Sequence, residues 1–239
     1  MSEPLVSVMM VNRNNVQYLK QAVESIINQT YQNWELIIGD DESTDGAWEL
    51  TQVLAQRDSR IKIYHNEANV GIMKNRQIAV TRCNGDYICH LDGDDMLFPY
   101  SLKTMVSELL KHPECVHAYS DKQWINEKSQ PIHYHHSDSY TGNVQSEGWR
   151  HLGMFRRSAY EVCVGYKSNL ANSCEDTDLF AQLFRQGPML KVDSVLYLHR
   201  WHTSNVTHKN KGCADCTTKD KCSYMQLFTK EPVKEEVTA

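Results

Sequence analysis

Residues 86–95 read Asp86-Tyr87-Ile88-Cys89-His90-Leu91-Asp92-Gly93-Asp94-Asp95. The apolar run through Tyr87, Ile88 and Leu91 predicts a buried strand, and the acidic cluster falls where that strand ends. Carboxylates this close together repel one another unless a cation sits among them. Oxygen ligands on a loop suit a hard divalent ion, and Mg²⁺ is commonly held by one or two carboxylates together with substrate phosphates. The stretch therefore points to a metal–diphosphate site at the carboxyl end of a central strand, where open α/β sheets bind ligands. A second reading is a solvated turn: Asp-Gly is a common turn dipeptide, and Pro99 can start the next helix.

Working outward, the preceding segments alternate strand and helix. Leu5–Val11 is a continuous apolar run, as expected for a parallel strand covered on both faces. Asn12-Arg13-Asn14-Asn15 breaks it. Leu19, Val23, Ile26 and Ile27 then follow at helical spacing. Trp34–Gly39 predicts a second strand running into Asp40-Asp41-Glu42-Ser43, and a helix carries Trp48, Leu50, Val53 and Leu54. Ile61–Tyr64 predicts a third strand and Met73–Cys83 a helix. This alternation predicts a mostly parallel sheet flanked by helices, an α/β fold with right-handed crossovers. Polar clusters recur at successive strand ends: Asn12 to Asn14, Asp40 with Asp41, and Asp92 to Asp95. They outline one crevice.

Downstream of Pro99 the spacing predicts a helix through Leu102, Met105, Val106, Leu109 and Leu110, then a strand at Val116–Tyr119. From Ser120 to about His151 the pattern is irregular, and His133, His135, His136 and His151 read as residues of a polar surface loop. Phe155–Glu161 reads as the start of a short helix. A clear helix follows Ser173-Cys174-Glu175-Asp176, and Met189–Tyr197 reads as a last strand before His199-Arg200-Trp201-His202.

Composition narrows the class. Hydrophobic residues at 41% and charged residues at 23% are ordinary for a globular chain, and a formal net charge of −5 argues against a general nucleic-acid binder. No apolar run approaches the ~20 residues that span a bilayer, and Met1-Ser2-Glu3-Pro4 lacks a signal-peptide pattern. The expectation is a cytoplasmic protein, with contact at the cytosolic face of a membrane if its acceptor is lipid-linked. Of eight cysteines, five are scattered and read as small buried residues. The other three form His208-x4-Cys213-x2-Cys216-x5-Cys222, a set that suits a structural Zn²⁺. Free thiols on a polar tail, or a redox-labile pair, are the alternatives.

These pieces together resemble an inverting family 2 glycosyltransferase of the GT-A type, from about Val6 to Thr207. The resemblance rests on Val6-Ser7-Val8 before the turn at Asn14, Glu35–Asp45, Asn69-Val70-Gly71 with Arg76, Gly85–Ile88 leading to Asp92–Asp95, Phe155–Ser158 and Glu175–Leu179. It implies a GT-A fold in residues 1–207, with a nucleotide-sugar-binding half (1–112) and an acceptor and catalytic half (113–207). Residues 208–239 form a cysteine-containing extension. It also implies a Mn²⁺ or Mg²⁺ cofactor, a donor such as a UDP-sugar, and a glycan or lipid-linked acceptor.

The implied roles fall residue by residue. Asp41 hydrogen-bonds the nucleobase, Asp94 ligates the metal and Asp92 sits near the ribose and sugar. Asp95 supports the pocket, Arg76 lies in it, and Val11, Asn14 and Glu175 line it. His202 lies near the metal or diphosphate, and Asp176 is the catalytic base. The spacing Ser173-x-x-Asp176 equally fits a helix capping box. The sequence departs from the family at Val11-Asn12-Arg13-Asn14, where a Thr-Tyr-Asn type turn is common, and at Gln77, where an Asn is common. Two other classes remain open at this point. One is a metal-dependent nucleotidyltransferase, although the first turn has no glycine. The other is a non-catalytic interaction module with a zinc-stapled tail.

Overall fold

The computed structural model of the protein describes residues 3–135, 151–166 and 175–203; the side chains of 175–178 lie outside that description. The first half builds as expected. Strand β1 (Val6–Asn12) lies between β2 (Trp34–Asp40) and β4 (Tyr87–Asp92), parallel to both, and β3 (Ile61–His65) pairs parallel with β2. Every residue of β1 and β2 is buried, the reason their sequences are continuous apolar runs rather than alternating ones. Helices α1 (Val16–Ile27), α2 (Ala47–Ala55) and α3 (Ile72–Val80) make the crossovers.

The second half is mixed. It comprises β5 (Met96–Leu97), α4 (Ser101–Lys111), β6 (His117–Ile125), β7 (Pro131–His135), β8 (Met154–Arg156), α5 (Arg157–Glu161), α6 (Glu175–Phe184) and β9 (Met189–Arg200). The nine-stranded sheet runs β3-β2-β1-β4-β8-β6-β9-β5, with β7 on β6. Because β8 is antiparallel to both β4 and β6, and β9 is parallel to β6, strands β1, β2, β3, β4, β6 and β9 all point the same way. Their carboxyl ends share one edge.

Pleating divides the core between two faces. Val6, Val8, Met10, Cys89 and Leu91 pack with α1 and α4, whereas Met9, Val11 and Ile88 pack with α3, α5 and α6. By that parity Asp92 lies on the α3 side.

Several sequence expectations change. The irregular stretch holds the remainder of β6 and the whole of β7, paired as a hairpin. Phe155 and Arg156 are strand, not helix, because Met154–Arg156 fills the gap between β4 and β6. His151 is not on a surface loop: its ring packs against Tyr197 and His199 at centroid distances of 5.1 and 4.9 Å. Strand β9 continues past Tyr197 to Arg200. Its register against β6 shifts twice, and past those irregularities it pairs with β5, the strand that directly follows the acidic turn. Bulges of this kind bend a strand. Here they deliver Tyr197 to His202 to the carboxyl end of β4.

Candidate active site

The site lies where β1, β2, β4 and β9 end. At the acidic turn each carboxylate has a different partner. Asp92 Oδ1 accepts a hydrogen bond from Arg76 Nη2 at 2.9 Å, and the Arg76 side chain is almost wholly buried. Asp94 Oδ2 lies 2.8 Å from His202 Nε2. Asp95 turns inward: Tyr197 Oη donates to its Oδ2 at 2.6 Å, and the Arg200 N–H to its Oδ1 at 2.7 Å. Burial, reinforced by the Asp94 and Asp92 charges, pushes the Asp95 carboxyl well above the usual carboxylate range. Asp95 therefore anchors β9 to the acidic turn.

Gly93 is required by packing. A Cβ there would sit 2.6 Å from Asn12 Oδ1. Asn12 ends β1 and donates from Nδ2 to Asp40 Oδ2 at 3.2 Å, and its Oδ1 is buried without a partner. Asn12 thus spaces the ends of β2 and β4.

The second acidic pair is also engaged. Asp40 is fully buried; its Oδ1 accepts the Ser43 N–H and lies 3.0 Å from His65 Nδ1. Asp41 is 3% exposed, and its carboxylate takes N–H groups from Val70 and Gly71, each at 2.9 Å, and from Asn66 Nδ2 at 3.0 Å. It fixes the loop that opens α3, the helix that carries Arg76. Asn14, at φ 54°, bonds Ser43 and Thr44 and holds the first turn to the second loop. Val11 is buried within β1, between Gly39 and Asp92.

Beneath His202 lie Tyr18, at a ring-centroid distance of 4.8 Å, and Arg200, whose guanidinium covers the Tyr18 ring. Arg200 is fully buried and donates to the Asp94 carbonyl, Gln21 Oε1, Ser129 Oγ and the Asn126 and Glu127 carbonyls. It ties α1, the acidic turn and the β6–β7 hairpin to β9. His199 is neutral, held down to about 3 by burial and by Lys122 and His202.

Of the residues singled out in the sequence, Asp92, Asp94, Asp95, Arg76 and His202 come together, with Asp41 and Asn14 on the neighbouring loops. Asp176 is the second residue of α6 and Glu175 the first. Phe180, one turn later, lies 5.9 Å from the ring of His90, two residues before Asp92. Ser173 and the zinc candidates His208, Cys213, Cys216 and Cys222 lie outside the described residues. Among the described residues, Cys83, Cys89 and Cys115 are free thiols, and no group of three His, Cys, Asp or Glu side chains is placed to hold a metal by itself. Sequence reading placed Asn12 in the polar cluster that ends β1 without giving it a role, and it missed Tyr197 and Arg200; nothing local marks these two, whose partner Asp95 is 102 and 105 positions away.

Comparison with known proteins agrees with this fold. The model of the family described as "Glycosyl transferase family 2" matches residues 7–163. The putative glycosyltransferase EpsE of Bacillus subtilis is 33% identical over 196 residues, covering 78% of this chain and 69% of that protein. A chondroitin synthase of Escherichia coli is 28% identical over 213 residues, 86% of this chain but 30% of that protein, so the chain spans less than a third of that relative.

Among solved structures, S. aureus TarS 1-349 in complex with UDP-GlcNAc aligns with a TM-score of 0.74 at 16% identity, over 93% of this chain and 65% of that one. The mannosyltransferase PcManGT from Pyrobaculum calidifontis, in complex with GDP-Man and Mn²⁺, aligns with a TM-score of 0.66 at 15% identity, over 83% of this chain and 57% of that one. On the family match and the shared architecture, the chain belongs to the glycosyl transferase family 2, as a glycosyltransferase of the GT-A fold.

Proposed function

We propose that the chain is a metal-dependent, inverting glycosyltransferase that moves a sugar from a nucleotide-diphosphate sugar, UDP-linked, to a hydroxyl of a glycan or lipid-linked acceptor. The observation that carries this is the meeting of Asp94 and His202 at 2.8 Å beside the Asp92–Arg76 pair. Residues 1–112 supply Asp41, Arg76, Asp92 and Asp94 and form the donor half. Residues 113–207 supply His202 and Asp176 and form the acceptor half.

The donor set fits a divalent ion: one carboxylate oxygen and one imidazole nitrogen leave room for diphosphate oxygens and water. The nitrogen favours Mn²⁺ over Mg²⁺. When bound, the ion neutralises charge that builds on the leaving diphosphate. The protein side chains do the rest. Asp92, fixed by Arg76, orients the donor ribose and sugar. Asp95, Tyr197 and Arg200 hold His202 and Asp94 in place so that little reorganisation is needed. Asp176, in the first turn of α6, takes the proton of the attacking hydroxyl. A single base facing the leaving group gives one displacement and inversion at the anomeric carbon. The nucleotide-bearing and Mn²⁺-bearing structures of similar fold support the donor and metal assignments.

The test is a thermal-unfolding panel of nucleotide sugars with and without Mn²⁺. A ligand bound by the folded state raises the midpoint. A metal-dependent rise with a UDP-sugar is expected; no rise with any nucleotide sugar or nucleoside diphosphate overturns the proposal. Product stereochemistry, read by proton NMR of the transferred sugar, tests inversion separately.

A further inference from the structure

Two polar side chains meet among the aromatic rings between β4 and α6. His90 lies two residues before Asp92 on β4, so the two side chains share a face of the sheet. His90 Nε2 is 2.6 Å from Tyr166 Oη. Phe155 stands edge-on to the His90 ring at 5.4 Å, and Phe180 of α6 lies 5.9 Å from it. Burial, helped by the charges of Arg76 and His117, pushes His90 well below the usual histidine range and keeps it neutral. Tyr166 is joined to α6 in turn. Gln182 Oε1 accepts the N–H groups of Val164 and Gly165 at 2.8 and 3.2 Å, and Gln182 Nε2 donates to the Gly165 carbonyl at 3.0 Å. Residues 164–166 are therefore tied to α6, the helix whose second residue is Asp176. Two phenylalanines would fill the same space with no polar atoms to satisfy. What the polar pair adds is direction. The apolar contacts of Leu179, Phe180 and Leu183 are non-directional, whereas a hydrogen bond fixes one distance and one orientation.

We propose that His90 and Tyr166 are positioning residues: their hydrogen bond sets α6, and with it Asp176, at its working distance from the donor held beside Asp92. The inference rests on the reading of Asp176 as the base given under Proposed function. A base acts only within hydrogen-bond reach of the proton that it takes. A misplacement of about 1 Å, caused far from the reacting atoms, costs about a hundredfold in rate. The acidic turn closes β4, so a bond made two residues before Asp92 ties the helix to the strand that presents the donor.

The experiment measures Mn²⁺-dependent release of UDP from UDP-GlcNAc, UDP-glucose and UDP-galactose, with water as the acceptor, by the full chain and its variants at a temperature where each is folded. In this reaction the bond from the anomeric carbon to the diphosphate breaks, water supplies the new oxygen, and the water proton goes to Asp176. Tyr166→Phe and His90→Phe should each lower kcat about tenfold or more, with the affinity for UDP, read by calorimetry, little changed. The two together should lose no more than either alone. His90→Gln, whose amide keeps a hydrogen-bonding group at the end of the side chain, should recover most of the rate. In an Asp176→Asn chain, Tyr166→Phe should alter the residual rate less than about twofold, because α6 then has no base to position; a merely structural defect lowers both backgrounds alike. An unchanged kcat in Tyr166→Phe, a loss of UDP affinity in step with kcat, or an equal loss in the Asp176→Asn background overturns the inference and leaves the base reading standing. A full rate in Asp176→Asn alone overturns the base reading and the inference with it. A wild type that releases UDP from none of the three overturns the donor reading, and again the inference with it.

Discussion

His202 Nε2 lies 2.8 Å from Asp94 Oδ2, although the two residues are 108 positions apart. The contact exists because β9, held between β6 and β5 as far as Leu198, carries its carboxyl end alongside the acidic turn that β5 follows. Below it, Asp95 accepts hydrogen bonds from Tyr197 and Arg200, so the turn and β9 are fixed to each other at two points.

If this pair holds the ion, removing either donor should weaken the metal. His202→Ala is expected to lower Mn²⁺ affinity at least about tenfold, the scale of losses at metal sites, with the apo unfolding midpoint little changed. His202→Asp exchanges nitrogen for oxygen and should move the preference towards Mg²⁺. Titration of each metal against UDP-induced thermal stabilisation reads both effects; a His202→Ala chain with wild-type Mn²⁺ dependence counts against ligation.

The role proposed for Asp176 is tested by measuring binding and chemistry separately. Asp176→Asn should bind donor as the wild type does and lose transfer by about 10²–10⁴-fold, the usual contribution of a general base. Donor affinity by calorimetry and initial rates with saturating acceptor make the comparison. Parallel loss of donor affinity would assign Asp176 to capping α6 instead.

Gly93 interrupts the acidic cluster for a steric reason. Gly93→Ala would place a methyl 2.6 Å from Asn12 Oδ1, in wholly buried surroundings. Overpacking of this kind costs about 1–3 kcal/mol. A lower chemical-denaturation midpoint, together with weaker Mn²⁺ dependence as Asp92 and Asp94 are displaced, is the expected pair of effects. An unchanged midpoint would show that Asn12 swings away freely.

His117 makes stability depend on pH. Its ring is fully buried, neither nitrogen has a hydrogen-bond partner, and burial holds it down to about 3. In the unfolded chain a histidine titrates near 6.5. The unfolded state therefore binds more protons between these values, so the stabilisation is fully present above about 6.5 and is lost as pH falls towards 3. Between pH 7 and pH 5 this one group removes roughly 2 kcal/mol. His117→Phe, beside Phe180 and Tyr119, should flatten that part of the profile. Urea midpoints of wild type and variant across pH 5 to 7 check it; parallel profiles would show that the ring is hydrated or paired in solution.

What the sequence determined on its own was the first, parallel half of the sheet. Continuous apolar runs with helical spacing between them identified β1 to β4 and their crossovers, because strands buried on both faces and amphipathic helices leave periodic marks in a single chain. The acidic turn was legible for the same reason: it follows a readable strand.

The second, mixed half needed the tertiary structure. Met154–Arg156 is three residues long and becomes a strand only because a gap exists between β4 and β6. The irregular pairing of β9 is set by neighbours that carry no local signal. Most of all, Asp92, Asp94 and Asp95 take different partners, Arg76, His202, and Tyr197 with Arg200, drawn from one helix and the end of a distant strand. Adjacent carboxylates look alike in a sequence; which one meets an arginine, a histidine or the buried end of a strand depends on what the fold sets against each.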